Sequence, residues 1–141
     1  MILQSNGRTV NINVLRRSRP ESTDFEDGNW LESEIKIDVP GFKGLYGANL
    51  RADDFEHFYQ GLEKLKSNQT KEVPFTTMEE GLYLKGVLDV TGNIKWEGTA
   101  KSQWGGSCLT FRLETDYASI DDLMSQIQET LDIYPVVGTT N

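Results

Sequence analysis

Two side chains are alone of their kind in this chain, His57 and Cys108, and either could in principle carry chemistry. A catalytic dyad or triad would have to use His57. It lies beside an apolar helical stripe rather than within it, and its acidic neighbours Asp53, Asp54 and Glu56 are explained by their favourable placement at a helix N-terminus. His57 therefore reads as a surface residue. One histidine and one cysteine cannot supply a structural zinc tetrad, so no metal and no cofactor are expected. Cys108 cannot form an internal disulfide. It sits in an apolar strand pattern with no local base to activate it, and is expected to be a buried structural thiol. Glu79-Glu80 and Asp121-Asp122 are paired acids of the kind a hydrolase uses. Neither pair lies in an apolar run that would raise a carboxyl pKa by burial. No P-loop, dinucleotide fingerprint, nucleophile elbow or HExxH occurs, and Gly105-Gly106 reads as a hairpin turn. The chain thus reads as a binding protein with no catalytic residue, not an enzyme.

What remains is surface. The 22 acidic residues outnumber the 14 Lys and Arg, a formal charge of -8. That argues against nucleic acid as a direct ligand, because phosphate binding requires a basic footprint. It suits a basic protein partner, although the same charge also keeps a protein soluble. The stretch Glu21 to Trp30 is acidic and carries two aromatics, and the segment Ser119 to Pro135 bears Asp121, Asp122, Glu129 and Asp132 with no Lys or Arg. The candidate partner-binding residues are therefore Glu26, Asp27, Trp30, Trp104, Asp121, Asp122 and Glu129, with Tyr117 as a further aromatic. Tryptophan is a favoured interface anchor. For Trp30 the competing role is to cap the core where a strand begins.

These residues must be held by an α+β fold of about seven or eight mainly antiparallel strands with two amphipathic helices packed on it. The length of 141 residues suits a single domain. Residues 8–16 alternate as a half-buried strand. Residues 17–29 lose periodicity and read as a long acidic loop. Residues 30–39 alternate again, Pro40-Gly41 supplies a type II turn, and residues 42–50 return as the second strand of a hairpin. Asp53 and Glu56 stand at capping-box spacing ahead of the helical stripe Phe55, Phe58, Tyr59, Leu62 and Leu65. Pro74 marks an edge strand at residues 72–75. Three alternating runs across 82–115, separated by glycine-bearing turns, predict a meander. Ser119 is the expected N-cap of a closing helix that Pro135 stops, and residues 136–141 read as a flexible tail. The simplest arrangement is one twisted sheet with both helices on one face. The expected core includes Val10, Ile35, Ile37, Phe55, Leu62, Leu84, Leu88, Trp96, Phe111, Leu123 and Ile127.

Several local patterns resemble the WapI family of bacterial immunity proteins. They are Asp27-Gly28-Asn29-Trp30-Leu31 before a charged strand, Gly41 to Tyr46, Leu50-Arg51 with Asp53 to Glu56, Thr77 to Glu80, Gly92 to Gly98, and Tyr134 to Gly138. The resemblance spans nearly the whole chain. It implies a cytosolic protein that binds and blocks a toxin domain, in the naming system a tRNA-cleaving nuclease, and it carries over no contact residue. The absence of a signal-peptide pattern in the first residues agrees with a cytoplasmic expectation and no apolar run spans a membrane. The alternatives are a small-ligand-binding module with a pocket between sheet and helices, a carboxylate-dependent enzyme, and a scaffold without catalytic activity.

Overall fold

Alternation of apolar and polar residues builds two sheets. The computed structural model describes residues 1–103 and 106–140. β1 (Ile2–Ser5), β2 (Arg8–Arg17), β3 (Trp30–Val39) and β4 (Phe42–Arg51) form one four-stranded antiparallel sheet in that order. β5 (Glu72–Phe75), β6 (Leu82–Leu88), β7 (Asn93–Lys101) and β8 (Cys108–Asp116) form a second. A single-turn helix α1 (Phe25–Gly28) interrupts the β2–β3 connection, α2 (Ala52–Lys66) follows the first sheet, and α3 (Ser119–Ile133) follows the second. Each half of the chain thus runs four strands into one long helix.

The hairpin is as expected: Val39 pairs with Phe42 across the Pro40-Gly41 turn, and the register continues to Trp30 with Arg51. Gly41 has φ 85°, the left-handed value that the third position of a type II turn requires. The meander β6–β7–β8 is also present, and Pro74 sits on the edge strand β5. The single expected sheet is instead two. Period-two alternation shows that one face of each strand is buried, but not against what. Here β4 and β5 never pair, because α2 intervenes and carries the chain across. β1 is additional to the expected strands; the Asn6-Gly7 turn before β2, with both φ positive, is the type I′ signal that makes it.

One core serves both sheets. Val10, Ile12, Ile35 and Ile37 from the first meet Leu84, Ile94 and Trp96 from the second, with Phe55, Phe58 and Leu62 of α2 and Ile120, Leu123 and Ile127 of α3. Phe58 packs edge-on to Trp96 with ring centroids 6.1 Å apart and tilted against Phe75 at 5.1 Å. The expected core residues are buried except Leu88, which is half-exposed at the end of β6. Cys108 is exposed, contrary to expectation. The alternation that turns Leu109, Phe111 and Leu113 toward the core turns Cys108 outward, so strand parity outweighs the apolar character of the run.

Both helix starts differ from the expected caps. α2 begins at Ala52, and the Asp54 carboxylate accepts the Arg51 amide at 2.8 Å; Asp53 and Glu56 do not form the cap. α3 contains Ser119 rather than being capped by it, and Asp116 accepts the Ser119 amide at 2.9 Å. Burial pushes the Asp54 carboxyl up to about 6, against the opposing Arg51 amide bond. A carboxyl raised in the folded state binds its proton more tightly there than in the unfolded chain. Its contribution therefore favours folding most below its ordinary value near 3.8 and is lost as pH rises through about 6. We expect the stability difference between wild type and Asp54→Asn, followed by urea unfolding, to shift against wild type by about 1–2 kcal/mol between pH 4 and pH 7. A difference independent of pH over that interval would show that Asp54 titrates normally.

Candidate partner-binding surface

The connection at residues 18–29 is an ordered structure, held from three sides. Asp24 caps α1 by accepting the Asp27 amide at 3.1 Å. From the end of β4, the Arg51 side chain, about 2% exposed, enters beneath it. Its Nη1 donates to the Glu26 carbonyl at 2.8 Å, its Nη2 to the Phe25 carbonyl at 2.7 Å and its Nε to Asp53 Oδ1 at 2.9 Å. The guanidinium also lies 5.2 Å from the Phe25 ring centroid and 5.0 Å from that of Trp30. A planar cation with five donors is the side chain that can satisfy two carbonyls and a carboxylate while stacking on aromatics. From β2, Arg17 donates to the Gly28 carbonyl at 2.6 Å and to the Pro135 carbonyl. From the C-terminal side, buried Asn29 exchanges bonds with Val137: its Nδ2 donates to the Val137 carbonyl at 3.0 Å and its Oδ1 accepts the Val137 amide at 2.9 Å. The expected flexible tail is thus tied down at least through Val137, because buried Asn29 completes its bonding with that backbone.

Glu26 and Asp27 stand exposed on this pinned loop, with Arg19 3.8 Å from Asp27, and Trp30 is half-buried against Arg51. The acids of α3 lie on a different element. α3 runs antiparallel to α2: Asp121 pairs with Lys66 at the end of α2, while Pro135 and Val137 reach the loop beside the start of α2. Asp121 and Asp122 therefore sit about 20 Å from the loop, since a helix of 15 residues spans roughly 22 Å. Glu129 lies between them and the loop. Asp121 has an ion-pair partner that the sequence of α3 alone does not show. Its hydrogen bond holds the Lys66 ammonium above its ordinary pKa. Asp122 accepts from Gln126 at 2.9 Å and Asp132 from Gln128 at 2.8 Å. Trp104 lies outside the described residues. Tyr117 is exposed, its hydroxyl 3.3 Å from the Lys66 carbonyl.

The result is two acidic patches, one along α3 and one on the loop, with Arg17 bridging Gly28 and Pro135 between them. Asp121 and Asp122 complement the dipole of α3, but Glu129 and Asp132 lie toward the opposite end, where carboxylates are unfavourable and no basic residue stands in the last turn. Asp132 is offset by its bond from Gln128, and Glu129 by the Met1 ammonium. Arg51 and Asn29 are the residues that sequence reasoning misses. Arg51 is visible there only as part of a family-like Leu50-Arg51 pattern, and its burial arises from the loop closing over it.

His57 is exposed, and among the described residues no three His, Cys, Asp or Glu side chains gather as a metal site requires. A surface groove of about 860 Å³ lies between the β3–β4 turn and β7–β8. The space between sheets and helices, where a ligand pocket was the alternative expectation, is filled by Phe55, Phe58, Phe75 and Trp96. No described helix is long and apolar enough to cross a membrane.

Two four-stranded antiparallel sheets, each followed by a long helix and sharing one core, define an α+β fold found in other proteins. Over residues 1–135 the chain matches the model of the immunity protein WapI-like family, and it belongs to that family. No curated protein matches it. Among solved structures it is similar to a chain of MRP1/MRP2 from "trypanosoma bruciei", at 12% identity and TM-score 0.51, over 92% of this chain and 76% of that one. A guideRNA-binding protein complex bound to a gRNA gives 14% identity and TM-score 0.48, over 91% and 81%. The plant transcriptional regulator PBF-2 gives 10% and 0.47, over 95% and 80%. At such identities the first likeness concerns the fold alone.

Proposed function

We propose that this chain is a cytoplasmic immunity protein that neutralises a cognate toxin domain by direct, stoichiometric contact and without catalysis. Family membership supplies the role, and the two acidic patches, on α3 and on the Arg51-pinned loop, are the observation that carries the mode of binding. An inhibitor needs no reacting groups; it needs a field opposite to the partner's and a few anchors. The charge fits a basic toxin domain, of which an RNA-cleaving enzyme is the best match because such an enzyme must itself attract phosphates. In this reading Glu26, Asp27, Asp121, Asp122 and Glu129 form the charged contact, with Trp30 or Trp104 as the aromatic anchor.

The test pairs the protein with the toxin domain encoded beside its gene. Co-expression should protect cells, and inhibition in vitro should titrate to one protein per toxin; complete inactivation by substoichiometric amounts would mean catalysis. Reversing Asp121→Lys and Asp122→Lys should slow association about tenfold at low ionic strength, an effect that shrinks as salt screens the field to a length of about 8 Å at 0.15 M. Dissociation should change less. Unchanged association, protection and salt dependence would remove the start of α3 from the contact.

A further inference from the structure

Four strands form the edges of the two sheets, and they are protected unequally. β1 is 4 residues long and its Ile2 amide is taken by Gln126 at 2.7 Å. β5 is also 4 residues and contains Pro74. On β8, Arg8 donates to the Arg112 carbonyl at 2.9 Å. These are ordinary means of blunting an edge. The 10-residue β4 carries one charged edge residue, Lys43, in its first half, and among the described residues no proline and no side-chain bond to its outward backbone there. Val39 and Phe42 pair across a two-residue turn, so the even-numbered residues of β4 direct their backbone to β3 and the odd-numbered ones direct theirs away. Two bonds confirm the parity: the Ala52 amide reaches the Asn29 carbonyl on the β3 side, and the Arg51 amide turns away to Asp54. The backbone groups of Lys43, Leu45 and Gly47 therefore face outward. Leu45 is 66% exposed and Phe42 63%.

The side chains of this edge are complementary to themselves. We propose that β4 pairs antiparallel with β4 of a second copy about a two-fold axis at Leu45, joining two sheets into one eight-stranded sheet. That register sets Leu45 against Leu45, Lys43 against Gly47 and Gly44 against Tyr46, so each long side chain meets a glycine or its twin. Gly44 sets no side chain against the facing Tyr46, whose hydroxyl donates to the Gly81 carbonyl of its own chain at 2.6 Å. Gly47 stands opposite Glu34 of β3. The Lys43 of one copy, 3.9 Å from its own Asp38, passes over a residue without a side chain and comes two strand spacings, about 9.6 Å between backbones, from Glu34 of the other, which it can reach only by exchanging partners. Glu34 is exposed and has no ion-pair partner among the described residues. No other register within the open half of the edge gives both the leucine pair and this charge pair. Five paired residues per copy bury less than the roughly 1,200 Å² of a stable interface, so the dimer should dissociate in the micromolar range.

Sedimentation velocity across about 1–200 μM tests this directly, and a wild type that stays monomeric throughout overturns it. Leu45→Lys sets two ammonium groups face to face and should raise the dissociation constant at least tenfold, with the thermal transition unchanged. A dimer indifferent to Leu45→Lys would use another surface. The register has its own test in a Cys108→Ser background. Facing Cα atoms in a hydrogen-bonded pair are about 5.5 Å apart, within disulfide reach. Leu45→Cys should therefore cross-link to itself on mild oxidation. Lys43→Cys and Gly47→Cys should cross-link to each other in a mixture and not to themselves. Failure of that pattern in a dimeric protein overturns the proposed axis.

Discussion

Arg51→Met is expected to destabilise the protein by about 3 kcal/mol in urea unfolding, as loss of a buried, fully bonded charged side chain does. Methionine matches much of the volume and none of the donors. The carbonyls of Phe25 and Glu26 lose their partner, Asp53 loses its counter-charge, and the rings of Phe25 and Trp30 lose the cation between them. The damage should be local before it is global. Hydrogen exchange at residues 24–29 should accelerate far more than exchange in β3, and, on the proposed function, binding of a toxin domain should weaken although neither Glu26 nor Asp27 has been altered. Arg51→Lys should recover only part of the stability, because a point charge cannot reach two carbonyls and a carboxylate at once. If Arg51→Met lost less than about 1 kcal/mol and the loop kept its protection, the guanidinium would not be what holds the loop in place.

The second large effect is expected at Gly86. It lies on β6 between Val73 of β5 and Trp96 of β7, and a Cβ there would stand 2.8 Å from the Trp96 ring. The ring cannot step aside. Its Nε1 donates to Thr115 Oγ1 at 3.0 Å and its edge meets Phe58. Gly86→Ala should therefore cost about 2–3 kcal/mol through overpacking, a large loss for one methyl group. The same substitution placed on Trp96→Phe should cost less than on wild type, because the smaller ring relieves the clash. Equal costs in the two backgrounds would show that the strain lies elsewhere.

Much of the fold is legible in the sequence because short-range patterns decide it. Pro40-Gly41 fixes the turn, and the alternation on either side then fixes the register from Val39–Phe42 back to Trp30–Arg51. Thr91-Gly92 marks the β6–β7 turn but not its register: the loop takes three residues, Val90 to Gly92, so Asp89 bonds to Asn93 and Leu88 pairs with Ile94. What is not legible depends on long-range geometry. Alternation does not say whether β4 should pair with β5, so two sheets read as one. The apolar character of its run makes Cys108 look buried, although its parity with Leu109 already points it outward. Asp121 looks uncompensated because Lys66 is remote in sequence. Arg51 stands on the opposite side-chain parity from buried Ala48 and Leu50, and it is buried only because a loop more than twenty residues earlier folds back over it. Of the proposed contact residues, Glu26 and Asp27 are legible as a loop, but the tether that holds them is not.

The tie between Asn29 and Val137 also sets an order of events. The two are 108 residues apart in the chain. The strands β1 to β4 meet neighbours close in sequence and can pair while translation is still under way, whereas distant contacts close late. The ribosome must release residue 137 before Asn29 has its partner. The acidic loop is therefore among the first segments made and among the last secured. A nascent chain halted before that point would carry a paired first sheet beneath an untethered loop, and, on the proposed function, protection would begin only once synthesis had passed Val137.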